Sequence, residues 1–141
     1  MKYLIIFLTA FFILQNSILL TASAQETGPA IIIINIISNK VITGKVSGLK
    51  PGQHEELKVI VYVHTDKWYI HPYVGGGPGK SYAKIEKNGS WQIKTEKREF
   101  PADQVAALVV DMDYKPASPV SDIWGIPVIA RIIQDEDQER L

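Results

Sequence analysis

The chain of 141 residues contains no cysteine, which excludes a disulfide framework, thiol nucleophiles, zinc–thiolate sites and iron–sulfur clusters. It has no excess of either charge, with 15 basic residues against 15 acidic ones. No basic field is therefore available to draw in nucleic acid. Beyond residue 24 the chain lacks the i, i+3, i+4 apolar spacing of an amphipathic helix. It also lacks a G-x-S-x-G context for a nucleophilic serine.

One long apolar run is present, and it lies at the start. Met1 to Ala24 combines Lys2, an apolar stretch from Tyr3 to Leu14, a second at Ile18 to Leu20, and Ala22-Ser23-Ala24. That is the layout of a secretory signal with an A-x-A cleavage site. A membrane anchor is the competing reading, but Gln15, Asn16 and Ser17 interrupt the stretch. Cleavage after Ala24 leaves 117 residues carrying 14 basic and 15 acidic side chains, the size of one domain with a single core. The expected location is secreted or periplasmic, with no membrane association once the signal is removed. The absence of cysteine after the apolar run excludes lipoprotein-type attachment.

The mature part reads as strands. "AIIIINIIS" (30–38) is rich in β-branched side chains that suit a pleated surface; its continuity predicts a strand covered on both faces, by the domain or by another copy. "KVITGKVSG" alternates, with Ile42 and Val46 on one face and Thr43, Lys45 and Ser47 on the other. In "LKVIVYVHT", Leu57, Val59, Val61 and Val63 form the expected buried face, opposite Lys58, Ile60, Tyr62 and His64. "YAKIEKNGSWQIKT" places Asn88-Gly89 between two alternating segments, a hairpin signal that favours a type I′ turn with Ile85 inward near Trp91 and Ile93. "VAALVVDMD" has the continuity of a central strand, "YKPASPVSD" is a proline-bearing connector, and "IPVIARII" a last strand before the charged tail 135–141. The predicted class is all-β: an antiparallel sandwich of seven to eight strands, immunoglobulin-like or fibronectin-like, spanning 25–134.

"KWYIHPYVGGGPGKSY" (67–82) is the richest segment. Its "GGGPGKS" superficially resembles a phosphate-binding loop, but Val74 stands where the first glycine is required and a strand pattern follows in place of a helix. No nucleotide or other cofactor is expected; the glycines read as a flexible connection between strands, with room for a ligand to approach. His54, His64 and His71 lack metal-motif spacing, and Asp111 and Asp113 lack the dense oxygen run of a calcium loop, so no metal is expected. Asp66, Glu86, Asp103 and Asp111 could supply a carboxylate pair, yet no spacing singles one out, and no catalytic residue is assigned. What remains is aromatic. Trp68, Tyr69, Tyr73 and Tyr82 are candidate ligand-binding rings, with His71 and Lys80 as hydrogen-bonding partners and Gly75 to Lys80 as a mobile rim. A sugar ring presents an apolar face to such side chains and hydroxyls to their polar neighbours. Trp68 and Trp91 are expected to be mostly buried, which leaves Tyr69, His71 and Tyr73 as the surface candidates.

Across Ile42 to Pro116, "ITGKVSGL", "KVIVYVHTDKWYIHPY", "IEKNGSWQI", "VAALVV" and "YKPA" resemble β-sandwich accessory modules of secreted bacterial proteins, immunoglobulin-like or fibronectin-like and sometimes attached to glycoside hydrolases. The resemblance implies surface attachment or carbohydrate binding and transfers no individual binding residue. The expected function is a non-enzymatic exported module that binds a glycan or an envelope protein; the alternative is a structural or protein-interaction domain using its Ile-rich first strand.

Overall fold

A computed structural model describes residues 28–37, 40–72, 74–96 and 101–135; the segment 1–24 expected to be a secretory signal, and residues 136–141 of the expected tail, lie outside the described residues. Eight strands follow in order: β1 (Ala30–Ile37), β2 (Val41–Ser47), β3 (Leu57–His64), β4 (Trp68–Ile70), β5 (Ala83–Lys84), β6 (Ser90–Lys94), β7 (Gln104–Asp111) and β8 (Ala130–Asp135). The helical content of the described residues is one short 3-10 turn, Gln53–Glu55. No helix among them is long and apolar enough to cross a membrane.

The strands form two antiparallel sheets, β1-β2-β6 and β4-β3-β7-β8, with β5 also pairing β3. This is the β-sandwich expected from the pattern of short alternating strands. The strand order is first-second-sixth in one sheet and fourth-third-seventh-eighth in the other, so the chain crosses between the sheets more than once. The β5–β6 hairpin changes sheets: Lys84 pairs Lys58 of β3, whereas Trp91 pairs Gly44 of β2. Ile85 bridges Trp91, as the hairpin signal predicts. The turn itself differs from the expected two-residue form. Gly89 N–H donates to Glu86 O and Glu86 N–H to Ser90 O, with positive φ at Gly89, the pattern of a three-residue connection closed by a left-handed residue.

The first core lies between the sheets, where Ile42, Val46, Trp91 and Ile93 meet Val59, Val61, Val63, Val105, Ala107 and Val109. Gly44 is required here, because a Cβ at this position would sit 2.2 Å from the Trp91 ring. The indole fills the space that a side chain on β2 would occupy.

One expectation is corrected and a second is narrowed. The reverse face of β3 is as dry as its inner face: Ile60 and Tyr62, with Ala106, Leu108 and Val110 of β7, form a second core under the connector 112–129. Tyr62 OH donates to Ala117 O (2.7 Å), Ile70 N–H to Ser118 Oγ (3.0 Å), and Trp68 and Val120 exchange backbone hydrogen bonds at 2.9 Å each. The connector also takes Ile126 and Val128 for this packing, so the last strand starts at Ala130, after the "IPVI" expected to open it. The second concerns β1, for which cover by the domain or by another copy was expected: the described residues of the domain leave its outer face open, with Ile32 50% and Ile34 63% exposed, so the first form of cover is not made by them and the second involves another chain. The register slips between Ile33 and Asn35. A bulge of this kind switches the parity of the strand, so Ile31 and Ile36, an odd number apart, both reach the core.

Candidate functional site

The second core ends in a hollow. Lys58, on β3, opens onto the connector side opposite Val110, and its residue is only 7% exposed. A buried ammonium requires partners. Its Nζ donates to Met112 O (2.7 Å) and Tyr114 O (2.8 Å), which pins the turn after β7 to the sheet while the aliphatic stem covers apolar surface. The ammonium also lies 5.0 Å from the centroid of the Tyr82 ring, within cation–π range. Burial holds the pKa of Lys58 below the ordinary lysine value, and the charge of Asp113 acts in the opposite direction.

Around this cation the chain leaves a hollow of about 400 Å³, with Ile60 and Ile70 among its apolar lining and Tyr82, Tyr114 and Lys115 beside Lys58. Such a volume is that of a small-molecule site. Gly75 and Gly77 line it from the glycine-rich loop, both with positive φ. That loop is fastened: Gly76 N–H donates to Ser81 Oγ, Ser81 N–H to Gly77 O, Gly79 N–H to Tyr82 O and Lys94 N–H to Gly79 O. The connection between strands is a series of consecutive hydrogen-bonded turns. No Asp, Glu or His lines the hollow among the described residues. The arrangement can hold a ring against two tyrosines and offer it a fixed positive charge.

The six residues proposed from sequence do not form one patch. Tyr82 lines the hollow. Trp68 is 7% exposed and belongs to the second core, as does Trp91 to the first; both were expected inside. Tyr69 points to the opposite side of β4, packs on the first core, and donates its hydroxyl to Asp66 Oδ1 at 3.1 Å. His71, expected at the surface, is 1% exposed: alternation ends at Ile70, and the ring turns inward to place Nε2 2.5 Å from Thr95 Oγ1. Lys80 is exposed on the loop and does not line the hollow. Tyr73 lies outside the described residues. The other histidines sit elsewhere, His64 Nδ1 at 2.7 Å from Asp103 Oδ1 and His54 beside Glu55; no group of three possible metal ligands converges among the described residues.

Sequence reasoning passed over three residues. Lys58 occupied a position in the alternation that read as outward. Tyr114 sat in a connector taken only as a link. Trp124 is the third: Ile123 and Ile126 are buried on either side of it, Asp122 Oδ1 accepts its backbone N–H at 2.9 Å, and the indole is left 69% exposed with the Arg131 guanidinium 4.7 Å from its ring centroid. The signal was available as two isoleucines bracketing a tryptophan in the Asp/Gly/Pro-containing "SDIWGIP". No protein family, curated protein or solved structure matches this chain.

Proposed function

We propose that this chain is an exported, non-enzymatic binding domain that holds a carbohydrate in the hollow between Tyr82 and Tyr114. The observation that carries the reading is the combination of two half-buried tyrosine rings with a fixed donor in a preformed cavity. The apolar face of a sugar packs on rings, and its hydroxyls take the polar neighbours. Export rests on the signal-like Met1 to Ala24. Calorimetric titration of the mature chain against a panel of plant and cell-wall polysaccharides tests it. Tyr82→Ala and Tyr114→Ala should each weaken binding about tenfold, the loss of one stacking contact, while Tyr69→Ala leaves it unchanged. Absence of binding across the panel, or indifference to both hollow substitutions, overturns the reading.

A second reading is favoured by β1: it is an edge strand with Ile32, Ile34 and Ile37 facing outward. An edge of this kind accepts a further strand, and the partner would be a second copy or an envelope protein. Light scattering decides it for a second copy, since a dimer dissolved by Ile32→Lys and Ile34→Lys supports the edge, and a monomer at high concentration removes it.

A further inference from the structure

We infer that the hollow selects a sugar that carries a carboxylate, such as a uronic acid, and seats that carboxylate on Lys58. The inference rests on the carbohydrate reading above and specifies its ligand class. An ammonium has three N–H donors, and Lys58 uses two of them on Met112 O and Tyr114 O. The group faces the Tyr82 ring, which attracts a cation but supplies no anion. A neutral ligand closing over the hollow would strip water from this charge and return nothing of equal strength, a cost that rises as the surroundings dry. A ligand carboxylate offsets it with a charge-assisted hydrogen bond. The lining is complementary in sign: Lys115 supplies a second cation, and no described lining residue is acidic. Asp113 is the acid that acts electrostatically on Lys58; it is exposed and outside the lining. The two tyrosines and the apolar floor would then hold the ring to which the carboxylate is attached, so charge and shape are read together.

The discriminating pair of probes is a short oligogalacturonate and the same oligosaccharide with its carboxyls reduced to primary alcohols, titrated into the mature chain. The acidic form should bind about tenfold tighter at low salt, the scale of one charge-assisted contact, and the preference should shrink as salt is raised. Lys58→Met should abolish the preference. Because that change also removes the donor from two carbonyls, the exposed Lys115→Gln carries the test if Lys58→Met fails to fold, and it should reduce the preference severalfold. Equal binding of the two forms, still sensitive to Tyr82→Ala, overturns the carboxylate inference and leaves the carbohydrate reading standing. A preference for the acid that survives Tyr82→Ala and Lys115→Gln places binding elsewhere and overturns the inference. Failure of both forms and of every neutral polysaccharide overturns the reading and the inference together.

Discussion

On its inner side the β3–β7 sheet meets a second sheet; on its reverse it meets the connector 112–129. Both sides exclude water, yet they are assembled differently. The inner side joins alternating aliphatic positions of several strands, each held by ladder hydrogen bonds. The reverse side joins one strand face to a segment without a ladder, fastened by Lys58, Tyr62, Ser118, the Trp68–Val120 bridge and the buried Ile123 and Ile126. A regular interface of this kind ties many residues into one cooperative unit, whereas a fastened connector can open by itself. The hollow lies on the connector side.

The largest effect is expected on the inner side. Trp91→Ala should cost about 3–5 kcal/mol, the range for removing a buried aromatic, and lower the denaturant midpoint of the whole domain. Gly44→Val should be comparably damaging for the opposite reason, since its side chain would enter the space of the indole. On the reverse side Ile123→Ala should cost about 2 kcal/mol, the low end for an aliphatic truncation, because a connector collapses around a cavity more readily than a sheet. Hydrogen exchange separates the two cases: Ile123→Ala should speed exchange at Val120 and Ile126 while β3 and β7 keep their protection. Simultaneous loss of protection in the sheet would refute the distinction.

Tyr62→Phe comes next. Its hydroxyl donates to Ala117 O, and deleting a hydrogen bond while leaving a carbonyl unsatisfied costs about 1 kcal/mol. Burial, and secondarily the neighbouring Tyr114, raises the pKa of the Tyr62 phenol above its ordinary value. The folded chain therefore keeps the proton at a pH where the unfolded chain loses it. This contribution to stability is fully present below pH of about 10 and declines as pH rises above that. The difference between wild type and Tyr62→Phe in chemical denaturation should accordingly shrink above pH of about 10; a constant difference would show that the phenol ionises equally in both states.

This contrast also explains what the sequence revealed. Period-two alternation located Ile42 and Val46, the odd-numbered face of β3, and the Ile85–Trp91 crossing, because in those segments the side-chain pattern and the backbone geometry repeat together. The reverse face was missed because its cover, 112–129, has no period to detect, so Ile60 and Tyr62 read as an outward face. The β1 bulge was equally hidden: eight apolar or amide residues in a row do not record where parity switches. In the candidate site Tyr82 was legible as a ring beside glycines. Lys58 was not, because a lysine at an alternating position ordinarily marks solvent, and its carbonyl partners are supplied by a turn more than fifty residues away.

The finest test compares neighbours on the connector. Trp124 and Ile123 adjoin in sequence and differ in fate, one exposed and one sealed. Trp124→Ala should cost about 0.5 kcal/mol, the worth of an exposed cation–π contact to Arg131, although tryptophan is the larger side chain. Arg131 would keep its hydrogen bond to Ile126 O, so the turn should retain its shape and the exchange rates of Val120 and Ile126 should not change. A loss as large as that of Ile123→Ala would mean that the indole braces the turn from outside, and that the connector is held from both of its surfaces.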